Sequence, residues 1–439
     1  MPAPGRKLRI AVWYNLPSGG GKRALHGHVR GLVARGHAVE AWCPPTADRT
    51  YLPLADMVPE HVVDLVRDPP AGWGDLWNMR IHAERALRAM EDHCRACAAE
   101  IAKGGFDVLF ANSCMLYGTS PIGAMVDIPS ALYLQEPVRW LYEAMPRLPW
   151  LAPAPSPRPI VDPRRWRWTL RDWRQVSAIR IQAREEARFA AGFDRILVNS
   201  FFSRESVLRA YGIDSEVCYL GADLDAFADL RLPRVGYVMG LGSFTPAKNV
   251  RLAIEALAQV PAPRPKLVWI GNFSATRYVN EMTALAARLG VVLEPRINVP
   301  DRELVETLNR ATALVYGPRL EPFGLAPIEA AACATPTIAV AEGGIRETVI
   351  DGVTGLLVPS DPAEFARAIM RLRDDPALAR RLGEGARRNA IERWSQQAAI
   401  DRIEQALARV ARQPAVQSSP SSQPNPSTQP SPSNSAVVM

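Results

Sequence analysis

Glu321-Pro-Phe-Gly-Leu-Ala-Pro-Ile-Glu329 is the stretch on which the reading of this chain turns. It follows Ala313-Leu-Val-Tyr-Gly317, an apolar run of strand length. Phe323-Gly324 break that strand. Leu325 to Cys333 then reads as a helix with Pro327 in its first turn, where a missing N–H costs little. The free N–H groups at such a helix start face the space above the sheet edge and favour an anion there. Glu321 at the edge and Glu329, eight residues on and inside the helix, therefore flank an anion site. Acids suit hydroxyls and amides suit a diphosphate, which together match a sugar nucleotide. The plainer alternative makes one Glu a buried side chain and the other a capping group.

Outward from this stretch, strand-sized apolar runs alternate with helical runs. In the first half the strands read at Leu8–Tyr14, His37–Cys43, His61–Val66, Asp107–Asn112, Ala131–Gln135 and Arg195–Asn199. In the second they read at Gly236–Leu241, Lys266–Gly271, Val291–Glu294, Ala313–Gly317, Thr337–Ala341 and Gly355–Val358. Such alternation predicts parallel sheets covered on both faces. Two series in 439 residues predict an α/β chain of two Rossmann-like domains facing across a cleft, with ligands at the carboxyl ends of the strands. We place the domains at 1–215 and 216–385, and a helix at 386–412 packing back on the first. A Pro/Trp/Arg-rich insertion over about 144–170 breaks the first series, and the Ser/Pro/Gln-rich 413–439 reads as disordered.

Composition excludes several classes. A 48% hydrophobic content supplies sizeable cores, yet no run of 18 apolar residues predicts a membrane-spanning helix. The start, MPAPGRKLRIAVWY, reads as a strand leading into a glycine turn rather than a signal peptide. With six cysteines in so long a chain, a reducing, cytoplasmic setting is expected. Cys94-x2-Cys97 lies in a helical run with no second pair, which argues against zinc. Net charge is +7, and only five of the 52 basic residues are lysine. Lys22 and Lys248 stand beside glycine turns, where a compact point charge is useful. All six histidines lie at or before His93, so any catalytic imidazole comes from the first domain.

Four further segments carry chemistry. Gly242-Ser-Phe-Thr-Pro-Ala-Lys248 ends a strand and opens a helix, with Thr245 as N-cap and Pro246 at N1. A lysine in that first turn opposes the helix dipole by about 0.3–1 kcal/mol, which makes sense when an anion sits beyond it. Gly19-Gly-Gly21 follows the first strand. A rival reading takes Gly19-x-Gly21-x-x-Ala24, with Glu40 ending the next strand, as a dinucleotide fingerprint. Asn15 to Ser18 separate strand and glycines, which counts against NAD. Asp223-x-Asp225 could ligate a metal, but reads better as a turn and cap after a strand. Gly343-Gly344, with Arg346 and Glu347, follows another strand.

These motifs, with Arg195–Phe227 and Asp351–Pro359, resemble the retaining GT-B glycosyltransferases of family 4, the group 1 glycosyl transferases, over about residues 8–395. The resemblance implies a metal-independent hexosyltransferase. It would move a sugar from a UDP- or GDP-sugar to a glycan, lipid-linked or small-molecule acceptor, with retention and no cofactor besides the donor. It implies Glu321 at the transferred sugar and Lys248 at the diphosphate as catalytic residues. Glu329 would bind ribose, with Gly20, Gly21, Gly242, Phe323, Gly324 and Leu325 around the phosphates. Ser243 stands where the family carries arginine, so Lys22, Arg23 or Arg346 would have to compensate. In Gln135-Glu-Pro-Val-Arg139, Gln135 replaces a histidine while Pro137 and Arg139 match. Glutamine cannot act as a base, though it can orient a sugar hydroxyl, and Glu136 is a neighbouring carboxyl that could substitute. Both departures keep an alternative open: a catalytically weakened nucleotide-sugar-binding protein of the same fold. Trp140, Trp150, Trp166, Trp168 and Trp173, interleaved with arginines, read as a packed acceptor-side flap or a peripheral membrane contact; nucleic acid fits least.

Overall fold

Uninterrupted apolar runs make strands that are buried on both faces. Ile10, Ala11, Val12, Trp13 and Tyr14 are all fully buried in the first of them. The computed structural model describes residues 6–66, 79–144, 148–152 and 162–412. The 413–439 tail and parts of the 144–170 insertion lie outside the described residues.

The first sheet comprises β1 (Arg9–Asn15), β2 (Ala38–Cys43), β3 (Glu60–Val62), β4 (Val108–Cys114), β5 (Ser130–Tyr133), β6 (Arg195–Val198) and β7 (Glu216–Val217). Its order is β3-β2-β1-β4-β5-β6-β7, and every pairing is parallel. The second comprises β8 (Val238–Leu241), β9 (Leu267–Gly271), β10 (Leu293–Ile297), β11 (Ala313–Tyr316), β12 (Thr337–Val340) and β13 (Gly355–Val358). Its order, β10-β9-β8-β11-β12-β13, repeats the doubly wound pattern, again all parallel. Strand order reverses between β1 and β4, and between β8 and β11. These are the two switch points at which such sheets bind ligands.

Each sheet carries a core on both faces. On one face of the first sheet, Leu25, Val29 and Leu32 of the helix Gly20–Ala34 share a cluster with Ile403, Leu407 and Val410 of the helix Gln396–Val410. That pairing is close: a Cβ built on Gly31 would lie 2.1 Å from Ile400 Cδ1. The chain returns to the first domain along Ala222, whose N–H donates to the Trp394 carbonyl at 2.8 Å and whose carbonyl accepts from Gln396 N–H at 2.8 Å. On the other face, Met90, Cys94, Cys97 and Ile101 of the helix Met79–Ile101 pack as apolar residues. Burial pushes the thiols of Cys94 and Cys97 up. Among the described residues no helix is long and apolar enough to cross a membrane.

Candidate active site

The carboxyl ends of β1, β8 and β11 open onto a cleft of about 400 Å³. On the first-domain wall the chain leaves β1 through Pro17 and reaches Gly19, whose φ of +143° suits only glycine. The helix Gly20–Ala34 starts there, so its free N–H groups and positive dipole end face the cleft. A Cβ built on Gly20 would meet no heavy atom within 4 Å. The protein itself does not use the space that this glycine leaves. Gly21 lies one step back, with the Gln135 amide nitrogen 2.7 Å from where its Cβ would be.

On the opposite wall Gly242 has φ of +140°, and the Lys248 stem lies against it. The Trp269 indole N–H donates to the Gly242 carbonyl at 2.9 Å, fixing the turn. Pro246–Lys248 is a single 3-10 turn, and Thr245 makes no side-chain cap. Asn249 then takes the left-handed region at φ 54°, and the α-helix Val250–Ala258 follows. The sequence reading of Lys248 in the first turn of that helix is therefore corrected. Four residues with 3-10 or left-handed geometry, Pro246 to Asn249, precede the helix, which frees Lys248 to turn inward.

Lys248 Nζ reaches both oxygens of Glu321, at 3.1 and 3.0 Å. Burial alone would raise the Glu321 pKa. The Lys248 charge and hydrogen bonds, then Arg139 and the Tyr316 hydroxyl, hold it below the usual carboxylate range. Glycines 343 and 344 let the backbone approach this segment. Gly344 N–H donates to the Glu321 carbonyl at 2.8 Å, and a Cβ on Gly343 would lie 2.5 Å from that oxygen. Gly324, at φ +90°, caps the helix Leu325–Ala332. Leu325 lines the cleft. The Phe323 ring instead packs away from it against Tyr219 and Trp394, at 6.1 and 5.7 Å between centroids.

Glu329 is buried, and burial pushes its pKa up to about 7, with Arg23 pulling it down and Asp301 pushing it up. Arg23 comes from the first domain and crosses the cleft. Its Nε lies 3.7 Å from Glu329 Oε1, and its Nη2 3.4 Å from Asp301 Oδ1. The Tyr51 and Phe227 rings flank its guanidinium at 5.9 and 5.8 Å. Arg23 is thus the one of the three named substitutes for the missing arginine that lines the cleft. Lys22 is fully buried with its ammonium 4.1 Å from the centre of the Tyr14 ring and no hydrogen-bond partner among the described residues, and burial lowers its pKa. Arg346 donates to the Gly343 carbonyl at 3.2 Å.

The Gln135–Arg139 segment ties the domains together. Ser203 Oγ donates to the Gln135 carbonyl at 2.8 Å, and Arg139 Nη2 donates to the Arg319 carbonyl of the second domain at 2.6 Å. Arg139 also holds Glu143 at 2.8 Å and stands 3.4 Å from Glu136. Burial pushes the Glu136 carboxyl up to about 8, with Arg139 pulling it down. Glu347 makes a second tie, accepting from Phe201 N–H and Phe202 N–H at 3.0 Å and from the Tyr219 hydroxyl at 2.8 Å.

Other readings lose their sites. Glu40 lies mid-strand in β2 and faces His61 at 3.0 Å, so it does not end the strand as a dinucleotide fingerprint requires. Asp223 accepts from Asp225 N–H and Ala226 N–H at 3.1 and 3.2 Å and pairs with Arg30 at 2.6 Å, which makes it a turn cap. None of the six histidines lines the cleft. Sequence reasoning missed Tyr51, Asn272, Asn298 and Asp301, which do. Asp301 alone carried a local signal, an acid opening the helix Asp301–Arg310 after Pro300.

Comparison with known proteins agrees with this architecture. The family model described as Glycosyltransferase Family 4 matches residues 18–226, and that described as Glycosyl transferases group 1 matches residues 232–389. The chain is 35% identical over 230 residues to a D-inositol 3-phosphate glycosyltransferase of Streptomyces bingchenggensis, covering 47% of this chain and 50% of that protein. It is 32% identical over 252 residues to D-inositol 3-phosphate glycosyltransferase 1 of Catenulispora acidiphila, covering 52% and 60%. The chain therefore spans about half the length of these curated relatives. Among solved structures, sucrose-phosphate synthase from Thermosynechococcus elongatus matches with a TM-score of 0.68 at 20% identity, covering 92% of this chain and 99% of that one. Anabaena HepE in complex with UDP and glucose matches with a TM-score of 0.64 at 19% identity, covering 91% and 99%. Two doubly wound parallel sheets, the Glu321–Glu329 run at the second switch point and the two family matches lead to one assignment: the chain has the GT-B fold and belongs to the group 1, family 4 glycosyltransferases.

Proposed function

We propose that this chain transfers a sugar from a UDP- or GDP-sugar to a hydroxyl acceptor, with retention and without a metal. One observation carries the reading. Lys248 and Glu321, 73 residues apart, meet within 3.1 Å in a cleft whose facing helix start leaves unused room at Gly20. The diphosphate would lie against the amides at Gly20 and Leu325 and take the Lys248 ammonium from Glu321. Glu321 would then be free to hold a hydroxyl of the transferred sugar, and Glu329 would accept from the ribose hydroxyls. As the bond from the anomeric carbon to the leaving oxygen breaks, negative charge grows on the diphosphate. Lys248 and the helix N-termini are already aimed at that charge, so it needs no reorganisation to be stabilised. The family resemblance is what supports retention.

The acceptor would enter along Gln135 and Arg139. Inositol phosphate, named for the two relatives, is the first acceptor to test; glycans and lipid-linked acceptors are the others. Peripheral membrane contact is supported by Trp166, Leu170 and Trp173. They are 62%, 43% and 61% exposed and lie at i, i+4 and i+7 on the helix Pro163–Ala190, beside Arg167 and Arg171. The weakened-binder reading draws on Ser243 and Gln135. Incubation with UDP- and GDP-sugars, with and without inositol phosphate and in excess EDTA, separates them. Release or transfer of sugar in EDTA is expected. Binding without turnover would leave a binding protein, strict metal dependence would reject the Lys248 argument, and no binding would reject the donor site.

A further inference from the structure

Among the described residues two basic side chains line the cleft: Lys248 from the second domain and Arg23 from the first. Three carboxylates face them, Glu321, Glu329 and Asp301. A nucleoside diphosphate adds further negative charge to a space where acids already outnumber bases. Ser243, on the same wall as Lys248, offers only a hydroxyl, which stands 3.3 Å from that of Thr245. The second domain therefore meets the donor with a single cation.

Arg23 is placed to supply another. It sits one turn beyond Gly19, to whose carbonyl its N–H donates at 3.0 Å, so the helix start that presents the cleft amides also presents this guanidinium. Its contacts at 3.4 and 3.7 Å are longer than the 2.7–2.9 Å of a settled charged hydrogen bond. The group is divided between two acids and fully satisfied by neither. The Phe227 and Tyr51 rings flank it, and the Tyr51 hydroxyl takes one of its donors, which leaves the others for the two acids or for a ligand.

We propose that Arg23 is a donor-binding residue: its guanidinium leaves Glu329 and Asp301 for the diphosphate, supplying from the first domain the charge that Ser243 does not supply from the second. This rests on the nucleotide-sugar reading above. It makes the diphosphate a bridge between domains, and it frees Glu329 for ribose at the moment the donor arrives. The enzyme would accordingly distinguish a nucleoside diphosphate from the bare nucleoside chiefly through Arg23 and Lys248.

The test is titration of the full chain with UDP and uridine, and with GDP and guanosine. Arg23→Ala should weaken binding of the preferred diphosphate about 10–100-fold, the scale of one charged hydrogen bond, and leave its nucleoside within about threefold. Adding Ser243→Arg to Arg23→Ala should restore most of the lost affinity, because the charge returns from the other wall. A residue that merely held the domains together could not be replaced in this way. Equal loss for diphosphate and nucleoside overturns the proposal. So does failure of Ser243→Arg to restore binding in a double variant that melts like the wild type. If the wild type binds neither diphosphate, the donor reading falls and takes this inference with it; if only the Arg23 variants depart from expectation, the donor reading stands alone.

Discussion

Replacing Gly20 by alanine separates what the glycine loop does for the fold from what it does for a ligand. Gly20 is the first residue of its helix, is exposed, and does not take the left-handed backbone that Gly19 takes. Alanine there restricts the unfolded chain without straining the folded one, which stabilises by about 0.4–1 kcal/mol. The added methyl touches no protein atom, since nothing lies within 4 Å of its position. It does occupy the cleft in front of the helix amides. If a diphosphate oxygen sits there, one charged hydrogen bond worth about 1.5–3 kcal/mol is lost, or about 10–100-fold in affinity. Thermal melts with and without the cognate nucleoside diphosphate give both numbers. At 100 times its Kd the ligand adds about 2.7 kcal/mol to the wild type. At the same concentration it should add only about 0.4–1.4 kcal/mol to Gly20→Ala, while the ligand-free variant melts slightly higher than the wild type. An undiminished ligand effect would mean that the loop does not contact the phosphates. A lower ligand-free melting temperature would mean that Gly20 serves the fold after all.

Lys248→Ala should lower kcat by roughly 10²–10³, the scale of one donor aimed at transition-state charge, in steady-state assays with the donor found to be active. A threefold effect would reduce its contact with Glu321 to a structural ion pair. Glu329→Gln tests the buried carboxyl. Its folded pKa of about 7 lies above an unfolded value of about 4.3, so the folded state binds the extra proton between the two, and stability is kept below that window and lost as pH rises through it. Urea midpoints of the glutamine variant should therefore fall less than the wild type's between about pH 5 and 7. Some decline should remain, since burial also raises Glu136 and Glu186. Identical profiles would place the Glu329 pKa at an ordinary value. Substituting Trp166 and Trp173 by serine should weaken sedimentation with anionic vesicles and leave turnover on a soluble acceptor intact. Unchanged vesicle binding would reject the membrane contact.

The sheets were legible because parallel strands buried on both faces need no partner information to be recognised. Ile10–Tyr14 and Leu267–Gly271 are apolar throughout and stand between turn residues, and each of the twelve runs read as strands meets a strand of the structure. Weaker patterns fared worse: the run read as His61–Val66 pairs only over Glu60–Val62, where the chain is half exposed. Contacts across the molecule left no local trace. Trp394 joins Tyr219 and Phe323 from distant parts of the chain, and Glu347 caps a helix start 146 residues earlier.

In the cleft the same division holds, with one instructive exception. Lys248 and Glu321 stood out because each follows a strand end within a few residues of a glycine. Arg23 could not be told from Lys22 by its neighbours, since both follow the glycines directly. Periodicity nevertheless separates them. Residues 22, 25, 29 and 32 fall on one stripe of the helix, and Leu25, Val29 and Leu32 are all buried on it. Lys22 shares that stripe, while Arg23 lies about 100° further round and faces the cleft. Leaving Lys22 open beside Arg23 and Arg346 as a substitute for the missing arginine weighed its charge and not its position. A lysine stem is long and apolar enough to lie in a core, and here the ammonium ends over the Tyr14 ring, within the roughly 6 Å at which an aromatic face attracts a cation. The helical register therefore outweighs residue type in deciding which of two adjacent cations can meet a ligand.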